Sequence, residues 1–186
     1  MSKLVVRPST PDDVSDITRI YGHYVLNSSA TFEVEPPDRE EMARRRSRIL
    51  ALGLPYLTAA EDGAVIGYAY ANAYRPRGAY RFTVEDSIYV DPSHAGRGSG
   101  RALMAALIAQ CEQGPWRQMI AVIGDRGNAA SISLHERFGF RKVGTLVSVG
   151  FKFNRWVDTV LMQRELGAGR TVSNSASGMK ISEEGR

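Results

Sequence analysis

The sequence predicts a single α/β domain in which helical and strand-like stretches alternate along most of the chain. Apolar residues recur at helical spacing in four stretches and form short apolar, often β-branched or aromatic, runs in seven others. In mid-chain, a strand stops at Asp91-Pro92, crosses a glycine-rich loop and continues as an apolar helix. With 186 residues, the chain is long enough to bury one full core.

Capping residues mark where the helices begin and end. Thr10 followed by Pro11, Asp38 and Asn128 are each typical of a helix start, and Gly53 and Gly139 are typical of a helix end. The predicted strands span residues 4–7, 56–60, 64–70, 80–90, 118–123, 143–149 and 156–162, and the predicted helices span residues 10–26, 38–52, 100–113 and 129–138.

The end of the chain differs from the rest in composition. From Gly167 onward the residues are mostly Gly, Ser, Asn and charged, with few that could enter a core. We therefore expect one domain over residues 1–166, and a flexible tail or a segment added for expression over residues 167–186.

Charge and cysteine content limit the function classes. The net charge is +4, and five arginines between positions 39 and 48 alternate with acidic and aliphatic residues, which indicates a solvated helix face rather than a nucleic-acid stripe. The single cysteine, Cys111, excludes an internal disulfide and fits a core position. No apolar run approaches the roughly 18 residues of a membrane span. We expect a cytoplasmic protein that binds neither nucleic acid nor a membrane.

The glycine-rich loop is the best candidate for a binding site. Gly96, Gly98 and Gly100 can adopt positive φ and allow close backbone approach, while the first-turn N–H groups of the following helix favour a phosphate. Arg97 and Arg101 add positive charge. A phosphate site and a solvated connector both fit this stretch. A P-loop is excluded because no Lys-Ser/Thr pair follows, and a dinucleotide fingerprint does not fit a loop in mid-chain.

Several stretches resemble a known family. The loop is similar to the acetyl-CoA loop of the GNAT N-acetyltransferase superfamily, [QR]-x-x-G-x-[GA], although Ala95 stands at its first position. Segments 27–33, 83–92, 128–140 and 149–158 resemble the phosphinothricin and methionine-sulfoximine acetyltransferase branch of that superfamily. The order of predicted strands and helices matches the GNAT fold over the whole predicted domain.

The resemblance implies a GNAT acyltransferase fold, with a mixed central sheet whose middle strands splay apart and with helices on both faces. It also implies acetyl-CoA as co-substrate, no metal, and a homodimer to which Phe151, Phe153 and Trp156 would contribute an apolar patch. The residues that would contact acetyl-CoA are Ile88, Tyr89, Val90, Gly96, Arg97, Gly98, Ser99, Gly100, Arg101, Asn128 and Ser131.

One carboxylate is suited to base catalysis. Acetyl transfer requires a neutral amine, and a carboxylate whose pKa is raised by burial can remove the proton directly or through water. Glu85 matches the proposed base of the branch, although its position also fits the solvated face of a strand. Strict alternation places Asp86 on the opposite face, whereas a β-bulge nearby, which GNAT folds often have where their central strands splay apart, would reset the phase.

Other side chains have roles implied by the resemblance. His135 stands where many GNAT enzymes have a tyrosine that protonates the departing thiolate, but a structural histidine fits a helix equally well. Arg75 and Arg77 would bind the α-carboxylate of the acceptor, unless they form only a basic surface loop. Phe32, which also fits a core position, completes the predicted acceptor site together with Glu85 and Asp86.

Three functions remain open from the sequence. The first is acetyl-CoA-dependent N-acetylation of a small amino-acid analogue of the phosphinothricin, methionine sulfoximine or sulfone type. The second is acetylation of a peptide or protein N-terminus, which Arg75 and Arg77 disfavour because a peptide lacks a carboxylate near its α-amine. The third is a non-catalytic acyl-CoA-binding module, against which Glu85 argues.

Overall fold

A computed structural model describes residues 3–171 of the chain and shows a seven-stranded mixed sheet. The strands are β1 (Leu4–Pro8), β2 (Tyr56–Glu61), β3 (Ala64–Ala73), β4 (Thr83–Val90), β5 (Gln118–Gly124), β6 (Arg141–Lys152) and β7 (Arg155–Glu165), and the helices are α1 (Val14–Asn27), α2 (Arg39–Ala51), α3 (Ser99–Glu112) and α4 (Ala129–Arg137). The strand order is β1-β2-β3-β4-β5-β7-β6, and β4 and β5 form the parallel pair of an otherwise antiparallel sheet.

Helices cover both faces of this sheet. The rings of Tyr21 in α1 and Tyr89 in β4 make an edge contact at 5.1 Å. The next residue, Val90, points the other way and lies beside Gly100 of α3. Adjacent strand residues face opposite sides, so α1 and α3 pack on opposite faces. The predicted layering is confirmed, and Cys111 is buried in the core, as expected.

The predicted caps are present at two helices. The Asp38 carboxylate accepts the Glu41 N–H at 2.7 Å, and the Asn128 side chain accepts the Ser131 N–H at 3.2 Å. Each bond satisfies a donor that the first helical turn leaves free. The predicted start at Thr10 leads instead into a short 3-10 turn, Pro11–Asp13, before α1 begins.

The middle strands splay, and β4 has no β-bulge. β4 pairs with β5 from Thr83↔Gln118 to Asp86↔Ala121, and the two strands then diverge. The register between β3 and β4 runs without a shift from Gly67↔Val90 to Ala73↔Val84, so of the two alternatives strict alternation applies near Asp86. Divergence of two parallel strands opens the sheet and leaves the alternation of β4 intact.

Several boundaries differ from the prediction. β4 begins at Thr83, three residues later than predicted. Gly78–Tyr80 forms a 3-10 turn, so Tyr80, which the sequence pattern assigned to the strand, belongs to that turn. β6 and β7 are longer than predicted, because Phe153 and Asn154 adopt φ of 51° and 56° and form a tight turn between them. Residues 172–186, most of the predicted tail, lie outside the described part of the chain. Within residues 3–171, no helix is long and apolar enough to cross a bilayer.

Candidate active site

Glu85 lies on the sheet face that α1 and α2 cover. In the β3–β4 register it is opposite Asn72, and cross-strand partners share a face. Its pKa is raised to about 7, chiefly by burial and further by the negative charge of Asp86, while the positive charge of Arg75 opposes the rise. A carboxylate that titrates near neutral pH can accept a proton from an ammonium group and release it again. The environment therefore suits the predicted base role.

Asp86 faces the other side of the sheet and pairs with His135. The Nε2 atom of the buried imidazole lies 3.0 Å from Asp86 Oδ2, and Nδ1 lies 2.7 Å from the Ser131 carbonyl oxygen. The carbonyl can only accept, so Nδ1 carries a proton and donates it. Asp86 is thus separated from Glu85 by the sheet, and the predicted grouping of Asp86 with the acceptor-binding residues does not match its position.

This pairing governs the protonation of His135. Burial on its own would lower the pKa of the imidazole, but the hydrogen bond and charge of Asp86, together with the Ser131 carbonyl, outweigh it and raise the pKa. The other oxygen, Asp86 Oδ1, is buried and has no hydrogen-bond partner among the described residues. The pair therefore holds a proton at the wall of the cavity described next.

A groove of about 670 Å³ opens where β4 and β5 diverge. At one end is the N-terminus of α3, which Gly98 begins at φ 93° without a capping side chain. Beside it, the hydroxyl of Ser99 is buried and finds no partner in residues 3–171. First-turn N–H groups and an unpartnered hydroxyl suit a phosphate or pyrophosphate. The other groove residues that the sequence predicted are Ile88, Tyr89, Val90, Gly96, Gly100, Arg101, Asn128 and Ser131.

Two details of the glycine loop differ from the expectation. Gly96 and Gly98 have positive φ, but Gly100 does not, because it already lies in the first turn of α3. A Cβ at Gly100 would meet Val90 at 3.5 Å, an ordinary contact. Arg97 is not among the residues that line the groove, whereas Arg101 is.

A second cavity, of about 470 Å³, lies on the α1–α2 face of the sheet, the face to which Glu85 also belongs. We call it the tyrosine cavity because Tyr21, Tyr56, Tyr68 and Tyr70 line it. Asn72, the cross-strand neighbour of Glu85, lies at its edge. Sequence reasoning missed this cavity. The sequence does contain one sign of it: Tyr68 and Tyr70 are two residues apart in a predicted strand, so both rings lie on the same face of β3.

The two predicted arginines lie on the loop between β3 and β4. Both are exposed, and the Arg75 guanidinium stacks 5.1 Å from the centre of the Tyr74 ring. Arg75 is close enough for its charge to lower the pKa of Glu85, whereas Arg77 shows no such coupling. The structure therefore brings the charge of Arg75 near the candidate base.

The loop that carries Phe32 is held by a lysine that sequence reasoning also missed. The Nζ atom of Lys152 donates to the carbonyl oxygens of Ser28 and Thr31 at 2.7 and 2.8 Å. Phe32 lies against Gly150, where a Cβ would come within 2.3 Å of its ring. Phe32 is 40% exposed, so it is neither a core residue nor a wall of either cavity.

The sequence matches that of a known enzyme family. The model of the acetyltransferase (GNAT) family matches residues 18–140 of the chain. The chain belongs to this family. As a GNAT acetyltransferase it has the predicted enzyme class and the predicted fold, and the reading as a non-catalytic module is set aside.

Individual acetyltransferases are similar to this chain over most of its length. Phosphinothricin N-acetyltransferase of Alcaligenes faecalis is 57% identical over 166 residues, 89% of this chain and 84% of that protein. The L-methionine sulfoximine/L-methionine sulfone acetyltransferase of Salmonella typhimurium is 37% identical over 163 residues, 88% of this chain and 95% of that protein. The crystal structure of a phosphinothricin acetyltransferase from Sinorhizobium meliloti in complex with acetyl-CoA is 46% identical, with a TM-score of 0.91 over 94% of this chain and 95% of that one.

Proposed function

We propose that the protein transfers acetyl from acetyl-CoA to the α-amine of a small amino-acid analogue of the phosphinothricin, methionine sulfoximine or sulfone type. The observation that carries this proposal is the half-buried Glu85 carboxylate, whose pKa of about 7 suits proton abstraction from an amine, in a chain 57% identical to a phosphinothricin acetyltransferase. Asn72, the cross-strand neighbour of Glu85, lines the tyrosine cavity, and residues 86–90, which follow Glu85 in β4, line the groove.

The groove residues fit acetyl-CoA, which supplies an activated acetyl group as a thioester. The N-terminus of α3 and the Ser99 hydroxyl would bind the pyrophosphate. Residues 88–90, which have no β5 partner after the splay, offer backbone groups for the amides of the pantetheine arm. No metal is part of this proposal.

The proton steps follow from the side chains. Glu85 takes a proton from the substrate ammonium, directly or through water, and the freed nitrogen lone pair forms the new C–N bond. The nitrogen then releases its second proton to solvent as the amide forms. As the C–S bond breaks, the departing thiolate needs a proton. We assign that role to His135, which Asp86 keeps protonated at the groove wall.

A substrate screen tests the proposed function. The purified protein is incubated with acetyl-CoA and, separately, with common amino acids, phosphinothricin, methionine sulfone and methionine sulfoximine, and free thiol is measured. We expect release to be fastest with the analogues. Release only with peptides that carry a free N-terminus would replace this proposal by the peptide acetyltransferase.

The arginine loop tests whether the acceptor carries a free α-carboxylate. Arg75→Ala and Arg77→Ala should each lower kcat/KM by about 10- to 100-fold, the loss expected for a charge-assisted hydrogen bond of about 1.5–3 kcal/mol. Arg81→Ala, at an exposed position where the guanidinium stacks on Phe82, is the matched control and should leave kcat/KM unchanged. If the variants still discriminate an amino acid from its carboxamide as the wild type does, the carboxylate clamp is wrong.

We also propose that the protein is a homodimer formed through the β6–β7 hairpin. β6 is an edge strand, and Phe151, Phe153 and Trp156 are all at least half exposed, which supports the apolar patch expected from the sequence. Sedimentation velocity at micromolar concentration should show a dimer, and Trp156→Glu should shift it towards monomer. Because Trp156 is 65% exposed, this change should not disturb the monomer fold. A wild-type chain that sediments only as monomer would contradict the assignment.

A further inference from the structure

The tyrosine cavity contains a polar group that the fold itself does not use. Tyr68 is fully buried, and its hydroxyl has no hydrogen-bond partner within residues 3–171. Leaving a buried hydroxyl unpaired costs about 1–3 kcal/mol. Packing alone would be served equally well by phenylalanine, because the Tyr68 ring stacks between Tyr56 and Tyr89 at 5.9 and 5.3 Å. Core packing therefore does not require the hydroxyl.

The neighbouring hydroxyls are donors as well. Burial raises the pKa of Tyr21, Tyr56, Tyr68 and Tyr70 above the ordinary phenol value, so each keeps its proton at neutral pH. Tyr21 already donates to the Glu33 carboxylate at 2.8 Å. The cavity thus presents phenol O–H groups on aromatic walls, a lining that suits a compact group with hydrogen-bond-accepting oxygens.

The charges of the cavity do not oppose such a group. The carboxylate of Glu33 is paired with the Arg45 guanidinium at 2.6 and 3.3 Å, in addition to its bond from Tyr21. Arg48, the second arginine of the lining, pairs with Glu41 at 3.2 Å, so each charged side chain of the lining has a partner of opposite charge. A negative or strongly polar oxygen therefore meets no unpaired carboxylate in the lining.

The order of residues along β3 gives the cavity a direction. Arg75 follows the end of the strand, Asn72 lies opposite Glu85, and Tyr70 and Tyr68 continue inward on the same face. We infer that the tyrosine cavity binds the side chain of the acceptor amino acid, and that Tyr68 donates a hydrogen bond to an oxygen at the end of that side chain. This inference rests on the proposed function and adds to it a specificity-determining residue. A volume of about 470 Å³ is within the range of small-ligand sites, roughly 300–1,000 Å³.

The experiment compares two acceptors that differ in their side-chain oxygens. Methionine sulfone and methionine share the α-amine, the α-carboxylate and the carbon chain, but only the sulfone carries two oxygens on sulfur. Tyr68→Phe removes the hydroxyl alone, and we expect the preference in kcat/KM for the sulfone over methionine to fall about 3- to 10-fold. Tyr80→Phe, which removes a phenol hydroxyl at an exposed position outside the cavity, should leave that preference unchanged.

Other outcomes separate this inference from the proposed function. Because the Tyr68 hydroxyl is unpaired in the folded chain, Tyr68→Phe should melt at or above the wild-type temperature, which verifies that the variant folds. If wild-type enzyme acetylates both acceptors and Tyr68→Phe changes both rates equally or not at all, the cavity does not recognise oxygen and the inference fails while the function stands. If wild-type enzyme acetylates neither acceptor, the inference fails, and the proposed function fails with it only if phosphinothricin and methionine sulfoximine are not acetylated either.

Discussion

Glu85→Gln should lower kcat by about 10²- to 10⁴-fold and leave KM nearly unchanged, because the amide keeps the shape of the side chain but cannot accept a proton. Steady-state kinetics with a saturating acceptor measure this effect. Glu35→Gln, the same change on an exposed residue outside both cavities, is the matched control and should retain full kcat. A Glu85→Gln enzyme with wild-type kcat would remove this residue from the chemistry.

The pH dependence gives a second test of the same group. Because the pKa of Glu85 is raised to about 7, the wild-type rate should rise with pH through about 7 as the carboxylate loses its proton. Glu85→Gln should lack that inflection and recover partly at high pH, where the amine deprotonates by itself. An inflection near pH 7 that persists in the variant belongs to another residue and would argue for a base other than Glu85.

The stability of the protein should depend on pH in the opposite direction to the rate: it should fall as pH rises. A carboxyl group whose folded-state pKa lies above its unfolded value favours the folded state at low pH, and this contribution is lost as pH rises from about 4 to 7. Glutamine does not titrate, so the Glu85→Gln variant does not lose stability in this way as pH rises. At pH 8 the variant should therefore melt at or above the wild-type temperature, which also shows that a fall in kcat does not come from unfolding.

Gly98→Val should raise the Kd for acetyl-CoA at least tenfold. Gly98 has φ 93°, a conformation that costs a β-branched residue of the order of 1–2 kcal/mol or more, and relaxing it would move the first turn of α3 away from the phosphate position. Thermal stabilisation by acetyl-CoA measures the effect. At 100 times the wild-type Kd, the stabilisation should fall from about 2.7 to about 1.4 kcal/mol.

Gly53→Val is the control that distinguishes the effect of backbone strain from an effect on acetyl-CoA binding. Gly53 also has positive φ, at 72°, and follows α2 outside the groove, so valine there imposes similar strain. It should destabilise the free protein without changing the shift that acetyl-CoA produces. If Gly98→Val keeps the full wild-type shift, the pyrophosphate site is not at this turn.

Much of the fold was readable from the sequence because its signals are local. A side-chain cap such as that of Asp38 or Asn128 bonds a backbone N–H three residues on, so the residue types and their spacing are enough to predict it. The same holds for the glycine that begins α3. The boundaries of β6 and β7 were less accurate, because cross-strand pairing rather than propensity extends them.

The candidate site could be predicted only in part from the sequence. Alternation along β4 correctly separated Glu85 from Asp86, because a strand without a bulge keeps a strict two-residue period. The resemblance supplied the roles of Glu85 and His135, and it also grouped Asp86 with the acceptor residues. The structure shows instead that Asp86 pairs with His135, which is 49 positions away in the sequence. No local pattern encodes a contact of that range.

The sequence by itself determined the order of strands and helices, the glycine turn at the start of α3 and the face of β4 on which each carboxylate lies, because these depend on neighbours within a few residues. Only the tertiary structure decided which groups meet. Packing of α1 and α2 on the sheet buries Glu85 enough to raise its pKa, and divergence of β4 from β5 opens the groove. Packing also leaves the Tyr68 hydroxyl unpaired in a cavity, because the burial of a side chain depends on residues distant in sequence.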